Sequence, residues 1–559
     1  MAKRGKAARP LVVLLVIELL ILAGGGILYG YLKISNTSLS ELFNSRTAGD
    51  VISAFTEKAL TAEQTGLNKE EGKLNRKGEK YRKPLYQEMK RIMDMYCNEE
   101  LSYDQLVRCM RSYQLFAEAS GQAGKYLSYA NSIQAGREAY REGVAYAAKE
   151  DYTGALECFK RVDSEDPIYS EKAEQEKEKM IQKLIEIAPE KVNEYLCQYK
   201  IEEARAFVGE LFAASPDDPA LNGLDQTINE YEAFQTELVE YTGPVEHVFT
   251  HCLIAFPELC YSSPSMTKSL DTDCVTPHEF ALILENLYEK GYILIDINLL
   301  LDESGEGDRV AKLMLPKGKK PLVLSVDDVV YDARKMHTGM VDKLVVDDRG
   351  RVLSYTKTAA GDEIYSYENE VFPIVDSFVR EHPDFSFQGA RGTLCLTGFQ
   401  GIFGYRTQTG APEGTDREAE KEGALQVVAA LKEEGWNFAS HGYGHYHMDQ
   451  IEYSKVEYDT ASWQAEVASL VGPTKVMVWP YGGHVRSGKI HELLYDTGFR
   501  IFCGVGAKPY LAREPDGLGI FQDRKALDGY SLRNRREMYL YLFDTEEVWD
   551  PLRPKDVSW

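Results

Sequence analysis

The sequence predicts an α/β fold, a parallel barrel of alternating strands and helices over residues 243–559, preceded by an all-α region and one N-terminal transmembrane helix. Three observations support this prediction. Short apolar runs alternate with helical stretches after residue 243, residues 40–235 lack strand-like runs, and residues 11–32 are almost entirely apolar. With 559 residues the chain is too long for one hydrophobic core, so several domains are expected.

The N-terminal segment has the composition of a membrane anchor. Residues 1–10 carry four cations, and residues 11–32 contain Glu18 as their one charged residue. A helix of this length crosses the hydrocarbon core of a bilayer, which is about 30 Å thick. The positive-inside rule predicts a single-pass cell-membrane protein with a cytoplasmic basic tail and an extracytoplasmic domain after Lys33. A cleaved signal peptide is the alternative, with residues 23–26 as a weak cleavage site.

Residues 40–235 are rich in Glu, Lys, Ala, Tyr and Leu and are predicted to be helical. A weak internal repeat relates Tyr146, Tyr152, Ala155, Phe159 and Pro167, at constant spacing, to Tyr195, Ile201, Ala204, Val208 and Pro216. A small Ala at the helix crossing and a Pro that ends the helix resemble the second helix of a tetratricopeptide repeat. A plain helical bundle that acts as a spacer is the alternative. Either form is expected to hold the later domain away from the membrane or to bind a protein partner.

The charge balance excludes one class of partner. The formal net charge is -24, which would repel the phosphates of nucleic acid. The charge is compatible with a neutral or cationic polymer, and it also serves solubility. The nine cysteines show no metal-binding spacing, although Cys252, Cys260 and Cys274 are near enough in sequence for one disulfide.

Strands and helices are predicted to alternate through residues 243–559. The predicted strands are Val245–Ala255, Tyr292–Ile297, Leu322–Val326, Gly392–Leu396, Asn437–Ala439, Lys475–Trp479 and Arg500–Cys503, and the predicted helices include Pro277–Leu287, Glu418–Glu434 and Ser487–Thr497. This order predicts a parallel sheet or barrel whose functional site lies at the carboxyl ends of the strands.

Polar residues follow these strands. Asp327 and Asp328 end one apolar run, and His441 and His445 follow another, four residues apart. One carboxylate and two imidazoles can hold a divalent metal ion, and the second carboxylate can then act as a base. The donors suit Zn, and also Co, Ni or Fe. His447 is an alternative ligand.

Three motifs carry a resemblance to a known family. Ser325-Val326-Asp327-Asp328, His441-x-x-x-His445 and Trp479-Pro480-Tyr481-Gly482 resemble, in order, the first three motifs of the polysaccharide deacetylases (carbohydrate esterase family four). The resemblance covers residues 243–559. It implies a distorted (β/α) barrel and metal-dependent hydrolysis of N-acetyl groups, a linear amide, in an N-acetylhexosamine polymer of the cell surface.

The same resemblance implies roles for individual residues. It assigns Asp328, His441 and His445 to the metal and Asp327 to the general base. It places Tyr481 against the developing oxyanion, through its backbone N–H.

Two departures from the family pattern determine the remaining assignments. The family usually supplies its general acid from a late His, but this chain has no His after His491. His251 precedes the Asp pair, as in the permuted poly-N-acetylglucosamine deacetylases, so it is the predicted general acid, with His247 as the alternative. The Arg that commonly opens the third motif is replaced by Val478, and Arg524 is predicted to orient the base instead.

Two other functions remain open at this stage. A catalytically impaired protein of the cell envelope would bind glycan or act as a scaffold without using the base Asp327. An esterase would remove O-acetyl groups with the same metal. The sequence also leaves peptidoglycan and an exported polyglucosamine equally open as substrates.

Overall fold

The computed structural model describes residues 47–61, 66–262, 264–305 and 307–555. The predicted basic tail and membrane anchor, residues 1–32, lie outside these ranges. No helix in the described ranges is both long enough and apolar enough to cross a bilayer.

The chain divides into two compact units, Met1–Leu184 and Ile185–Trp559. The prediction placed the boundary later, between residues 235 and 243. The two helices that follow the observed boundary belong to the second unit because they hydrogen-bond within it. Gln235, for example, donates through Nε2 to the Ser386 carbonyl at 2.9 Å.

The described part of the first unit is built from helices alone. They are α1 (Ala48–Thr61), α2 (Lys69–Arg76), α3 (Arg82–Cys97), α4 (Tyr103–Tyr113), α5 (Ser120–Ala147), α6 (Tyr152–Lys160) and the first part of α7 (Tyr169–Cys197). Asn68 and Ser102 form capping boxes at the starts of α2 and α4, which satisfy backbone N–H groups there. A buried ion pair joins Arg137 to Asp166 at 2.7 Å.

The proposed repeat occupies helices of unequal length. Ala155 and Ala204, which correspond in the repeat, are both fully buried. However, α6 has 9 residues, whereas the helix that contains Ala204 has 14. The tetratricopeptide resemblance therefore stays a prediction.

The second unit contains the strands and the remaining helices. The helices are α8 (Ile201–Ala214), α9 (Pro219–Thr236), α10 (Pro257–Ser262), α11 (Pro264–Asp273), α12 (Pro277–Glu289), α13 (Val371–Glu381), α14 (Arg417–Glu433), α15 (Tyr453–Trp463), α16 (Ser469–Val471), α17 (Lys489–Thr497), α18 (Gly529–Asn534) and α19 (Arg536–Tyr539). The strands are β1 (Leu238–Tyr241), β2 (Glu246–His251), β3 (Tyr292–Leu294), β4 (Leu301–Asp302), β5 (Arg309–Val310), β6 (Leu313–Pro316), β7 (Lys320–Asp327), β8 (Lys343–Val346), β9 (Val352–Lys357), β10 (Glu363–Ser366), β11 (Thr393–Leu396), β12 (Asn437–Ser440), β13 (Val476–Val478), β14 (Ile501–Val505), β15 (Leu511–Arg513) and β16 (Ile520–Ala526).

Seven parallel strands close into a barrel, in the order β2, β7, β11, β12, β13, β14 and β16, and β16 pairs back with β2. The predicted α/β barrel is thus observed. Strand β3 pairs with the first residues of β7, and β15 runs antiparallel beside β16. Strands β8, β9 and β10 form a separate antiparallel sheet.

Side chains of the barrel strands alternate between two apolar clusters, because successive residues of a strand face opposite sides. One cluster fills the barrel and includes Val323, Cys395, Ala439, Val476, Val478, Ile501, Cys503 and Ile520. The other lies between the barrel and the helices and includes Val248, Leu322, Leu324, Val326, Leu394, Phe438, Met477 and Phe502. Polar side chains that belong to the inner face are therefore brought together inside the barrel.

All nine cysteines are buried and unpaired. The disulfide considered for Cys252, Cys260 and Cys274 is not formed.

Candidate metal centre and active site

Three of the predicted metal ligands meet at the carboxyl end of the barrel. The ligand atoms of Asp328, His441 and His445 all lie within 4.8 Å of one another. Asp328 Oδ1 is 3.7 Å from His445 Nε2. These residues follow β7 and β12, so the topology of the barrel brings together side chains that are far apart in sequence.

Left-handed backbone conformations position the site residues. Asp328, His445 and Tyr481 have φ values of 57°, 52° and 58°, a region that residues other than glycine rarely adopt. At Asp328 the turn separates two consecutive carboxylates, one buried inside the barrel and one at its rim. Strained residues of this kind cluster at functional sites.

Both imidazoles can offer a ring nitrogen to a metal ion. His441 Nδ1 donates to the Val478 carbonyl at 2.9 Å, which leaves the lone pair on Nε2. Burial and the neighbouring His441 lower the pKa of His445 to about 4, so its ring is neutral at neutral pH. The donor set of one carboxylate and two imidazoles fits a divalent transition metal.

Asp327 is buried and bound by Arg524. Arg524 Nη1 is 2.8 Å from Asp327 Oδ1 and Nη2 is 3.0 Å from Oδ2, a bidentate pair. Burial alone would raise the pKa of Asp327, but the Arg524 charge outweighs it and holds that pKa well below its ordinary value. Asp327 Oδ2 is also 3.7 Å from His441 Nε2, so an ionised carboxylate lies beside the candidate metal ligands.

Arg524 is itself fixed from several sides. It donates to Ser325 Oγ at 3.0 Å and to the Gly504 carbonyl at 3.3 Å, and its guanidinium lies 4.2 Å from the centre of the Phe249 ring. Strand β16 therefore places Arg524, which was predicted to replace the missing Arg at Val478, against the predicted base Asp327.

The two candidate general acids differ in their surroundings. His251 ends β2 next to Asp327 in the strand register, and its Nδ1 donates to the Asp273 carbonyl at 2.9 Å. His247 is buried inside the barrel. Its Nδ1 is 3.0 Å from Gln522 Oε1, and its Nε2 is 3.0 Å from Ser325 Oγ. Burial and the Arg524 charge lower the pKa of His247 to about 3. His251 thus lies at the rim, whereas both ring nitrogens of His247 are within hydrogen-bond distance of other side chains inside the barrel.

Tyr481 and His447 lie on the outer side of the site. The Tyr481 ring is 61% exposed, stacks on His447 at 3.9 Å between ring centres and lies 4.4 Å from His445. His447 does not belong to the group of potential metal ligands found among the described residues. The alternative ligand is thus engaged with Tyr481 instead.

A cavity of about 300 Å³ opens at the site and is lined by Asp328, His445, Tyr481 and Phe399, among others. A larger cavity of about 620 Å³ lies where the strands begin, near Asn437. The smaller cavity is the candidate substrate site, because it alone of the two borders the metal ligands.

Two supporting residues were not predicted. Asp459 accepts hydrogen bonds from the Tyr443 and Gly444 backbone N–H groups, both at 2.7 Å, and so braces the turn between His441 and His445. Lys335 lines the cavity beside Asp328. Neither has a sequence signal, since each acts through a contact with a distant segment.

Comparisons with known proteins find similarity over part of the chain. Residues 411–502 match the family model described as polysaccharide deacetylase. The matched segment contains His441, His445 and Tyr481, and the match supports a hydrolase that removes acetyl groups. A solved structure, "Streptococcus pyogenes deacetylase PplD in complex with acetate", is similar with 12% identity, over 51% of this chain and 93% of that chain, at a TM-score of 0.29. No curated protein matches the chain.

Proposed function

We propose that the protein is a metal-dependent deacetylase that hydrolyses the N-acetyl groups of an N-acetylhexosamine-containing polysaccharide at the cell surface. One observation carries the proposal: the donor atoms of Asp328, His441 and His445 lie within 4.8 Å of one another, beside a buried carboxylate that Arg524 holds ionised. Binding of a glycan alone does not need this second carboxylate. We further propose that the chain is of the permuted poly-N-acetylglucosamine deacetylase type, because His251 precedes the Asp pair in the sequence.

Asp328, His441 and His445 would hold the metal ion. A divalent ion bound there would polarise the acetamide carbonyl and lower the pKa of the attacking water.

Asp327 is proposed to act as the general base. It accepts a proton from water as the new C–O bond to the acetyl carbon forms. Arg524 fixes the direction of the carboxylate and keeps it ionised, so Arg524 is a positioning residue. The backbone N–H of Tyr481 is proposed to stabilise the charge that develops on the acetyl oxygen.

His251 is proposed to act as the general acid. Its Nδ1 donates to the Asp273 carbonyl, so Nε2 is the atom that is free to deliver a proton. When the C–N bond of the amide breaks, this proton passes to the departing amine, and acetate is released.

The remaining predictions become part of the proposal. Residues 11–32 anchor the protein in the cell membrane and leave the barrel outside the cell, and the helical region contacts a protein partner or acts as a spacer.

Acetate release tests the proposed function. The chain without residues 1–32 is incubated with N-acetylglucosamine oligomers, with peptidoglycan and with an O-acetylated glycan that lacks N-acetyl groups. The metal content is measured in parallel, before and after treatment with a chelator. We expect acetate from an N-acetylated polymer, its loss on chelation and its return with Zn, Co, Ni or Fe. If acetate is released from the O-acetylated glycan alone, the protein is an esterase and not an amidase. If no polymer releases acetate, the proposed catalytic function is wrong and a glycan-binding protein is favoured.

A further inference from the structure

Lys335 is a cation on the wall of the candidate substrate cavity that the proposed mechanism does not use. It lines the cavity together with Asp328, His445 and Tyr481. The neighbouring Arg334 is paired with Asp332, whose Oδ2 accepts from Arg334 Nε at 2.8 Å. Within the described part of the chain, no carboxylate forms an ion pair with the Lys335 ammonium group.

The loop that carries Lys335 is fixed at both ends. Arg406 donates to the Val330 and Tyr331 carbonyls at 3.2 and 2.7 Å, and the Phe256 N–H donates to the Gly339 carbonyl at 2.9 Å. Gly339 has a φ of 112°, and a Cβ there would come within 2.7 Å of Cys260 Cβ. The loop is therefore held against the barrel, and Lys335 belongs to a preorganised wall.

The Lys335 ammonium group is the feature of this wall that can attract an anionic ligand, because the Asp332 carboxylate on the same wall is already paired with Arg334. Burial acts to lower the pKa of Lys335, but the ionisable groups around it outweigh burial and raise that pKa, so the amine is charged at neutral pH. A divalent ion on Asp328 would neutralise that carboxylate, which lines the same cavity as Lys335. The cavity wall then carries excess positive charge in a chain whose formal net charge is -24.

We propose that Lys335 binds an anionic substituent of the glycan, so that the substrate is an acidic N-acetylhexosamine polymer. The inference rests on the proposed function. At about 300 Å³ the cavity is at the small end of ligand sites, so the anionic group lies on the deacetylated sugar or on its neighbour. A carboxylate, such as the lactyl group of N-acetylmuramic acid, and a sugar phosphate share this chemistry.

Three substrates separate the sources of the negative charge. They are neutral N-acetylglucosamine oligomers, peptide-free peptidoglycan strands with free lactyl carboxylates, and N-acetylglucosamine oligomers that carry 6-phosphate. Acetate release is measured with the wild type, with Lys335→Met and with Lys335→Arg. Lys317→Met is the matched control, because Lys317 is an exposed lysine in the turn before β7, at the opposite end of that strand from Asp327.

We expect the wild type to prefer one of the acidic substrates. Lys335→Met should raise KM for that substrate about tenfold or more, the loss expected for a hydrogen bond to a charged group, and leave the neutral substrate unchanged. Lys335→Arg should keep most of the preference, and Lys317→Met should match the wild type.

The outcomes distinguish this inference from the proposed function. An equal loss of kcat on all three substrates would give Lys335 a catalytic role and overturn the inference. A wild type that acts on the neutral oligomers as well as on both acidic ones would also overturn it. No acetate from any substrate would overturn the proposed function, and the inference with it.

Discussion

The pair of Arg524 and Asp327 gives the sharpest prediction, because one residue should govern both the stability of the barrel and the protonation of the base. Arg524→Met removes the bidentate partner of a carboxylate that is 3% exposed. Removal of one member of a buried ion pair costs about 3–5 kcal/mol. We expect the free energy of unfolding of the metal-free protein to fall by about this amount.

The effect on activity follows from the pKa of Asp327. With Arg524 present that pKa lies well below its ordinary value, and without it burial acts in the opposite direction. The base would then bind a proton at higher pH, so the acid limb of kcat/KM should move upwards. Together with the lost orientation of the carboxylate, we expect kcat/KM at neutral pH to fall about 100-fold or more. KM should change little, because Arg524 does not reach the cavity wall.

Lys525→Met is the matched control. Lys525 is the next residue of β16 and forms a 2.7 Å ion pair with Glu246. The side chains of Lys525 and Glu246 are each 2% exposed. The control should lose comparable stability but keep the pH profile of the wild type, since strand alternation places Lys525 on the opposite side of β16 from Arg524. The reasoning is refuted if folded, metal-loaded Arg524→Met keeps the wild-type pH profile and activity, or if both variants shift the profile equally.

Three further predictions concern single residues. His251→Gln should lower acetate release about 100-fold to 10,000-fold without loss of bound metal, measured by atomic absorption, and unchanged turnover would exclude His251 as the acid. His441→Ala should leave less than the wild-type metal content after dialysis, and full retention would contradict its role as a ligand. Glu370 is buried, and burial raises its pKa to about 7. The unfolded chain releases this proton near pH 4.5, whereas the folded chain holds it until about pH 7. The free energy of unfolding should therefore fall as the pH rises through this window, by about 3 kcal/mol in total. Glu370→Gln should remove this slope in urea titrations, and an unchanged slope would refute the assignment.

The sequence was sufficient to predict most of the barrel because its strands are apolar and its polar residues stand at strand ends. Asp328 and His441 could be placed at one rim by this rule alone. Strand β16 was not predicted, because Gln522, Asp523, Arg524 and Lys525 give it the composition of a loop. Gln522 and Arg524 find their partners inside the barrel, as when Gln522 meets His247 of the neighbouring strand β2, and such long-range pairs leave no local pattern.

The domain boundary and the supporting residues escaped prediction for a related reason. Helices α8 and α9 resemble the earlier helices in composition but hydrogen-bond to the barrel unit through residues such as Gln235. Asp459 and Lys335 act on the site from loops and helices that carry no motif. The sequence was sufficient to predict the reactive side chains at the strand ends. It was not sufficient to predict which distant segments contact those side chains and fix their positions.

The most direct test of the proposed function is acetate release by Asp327→Asn at full metal occupancy. The substitution keeps the shape of the side chain and the ligands Asp328, His441 and His445 but removes the base. We expect the metal content of the wild type and a loss of acetate release of about 100-fold or more. Wild-type acetate release by the metal-loaded variant would contradict the account.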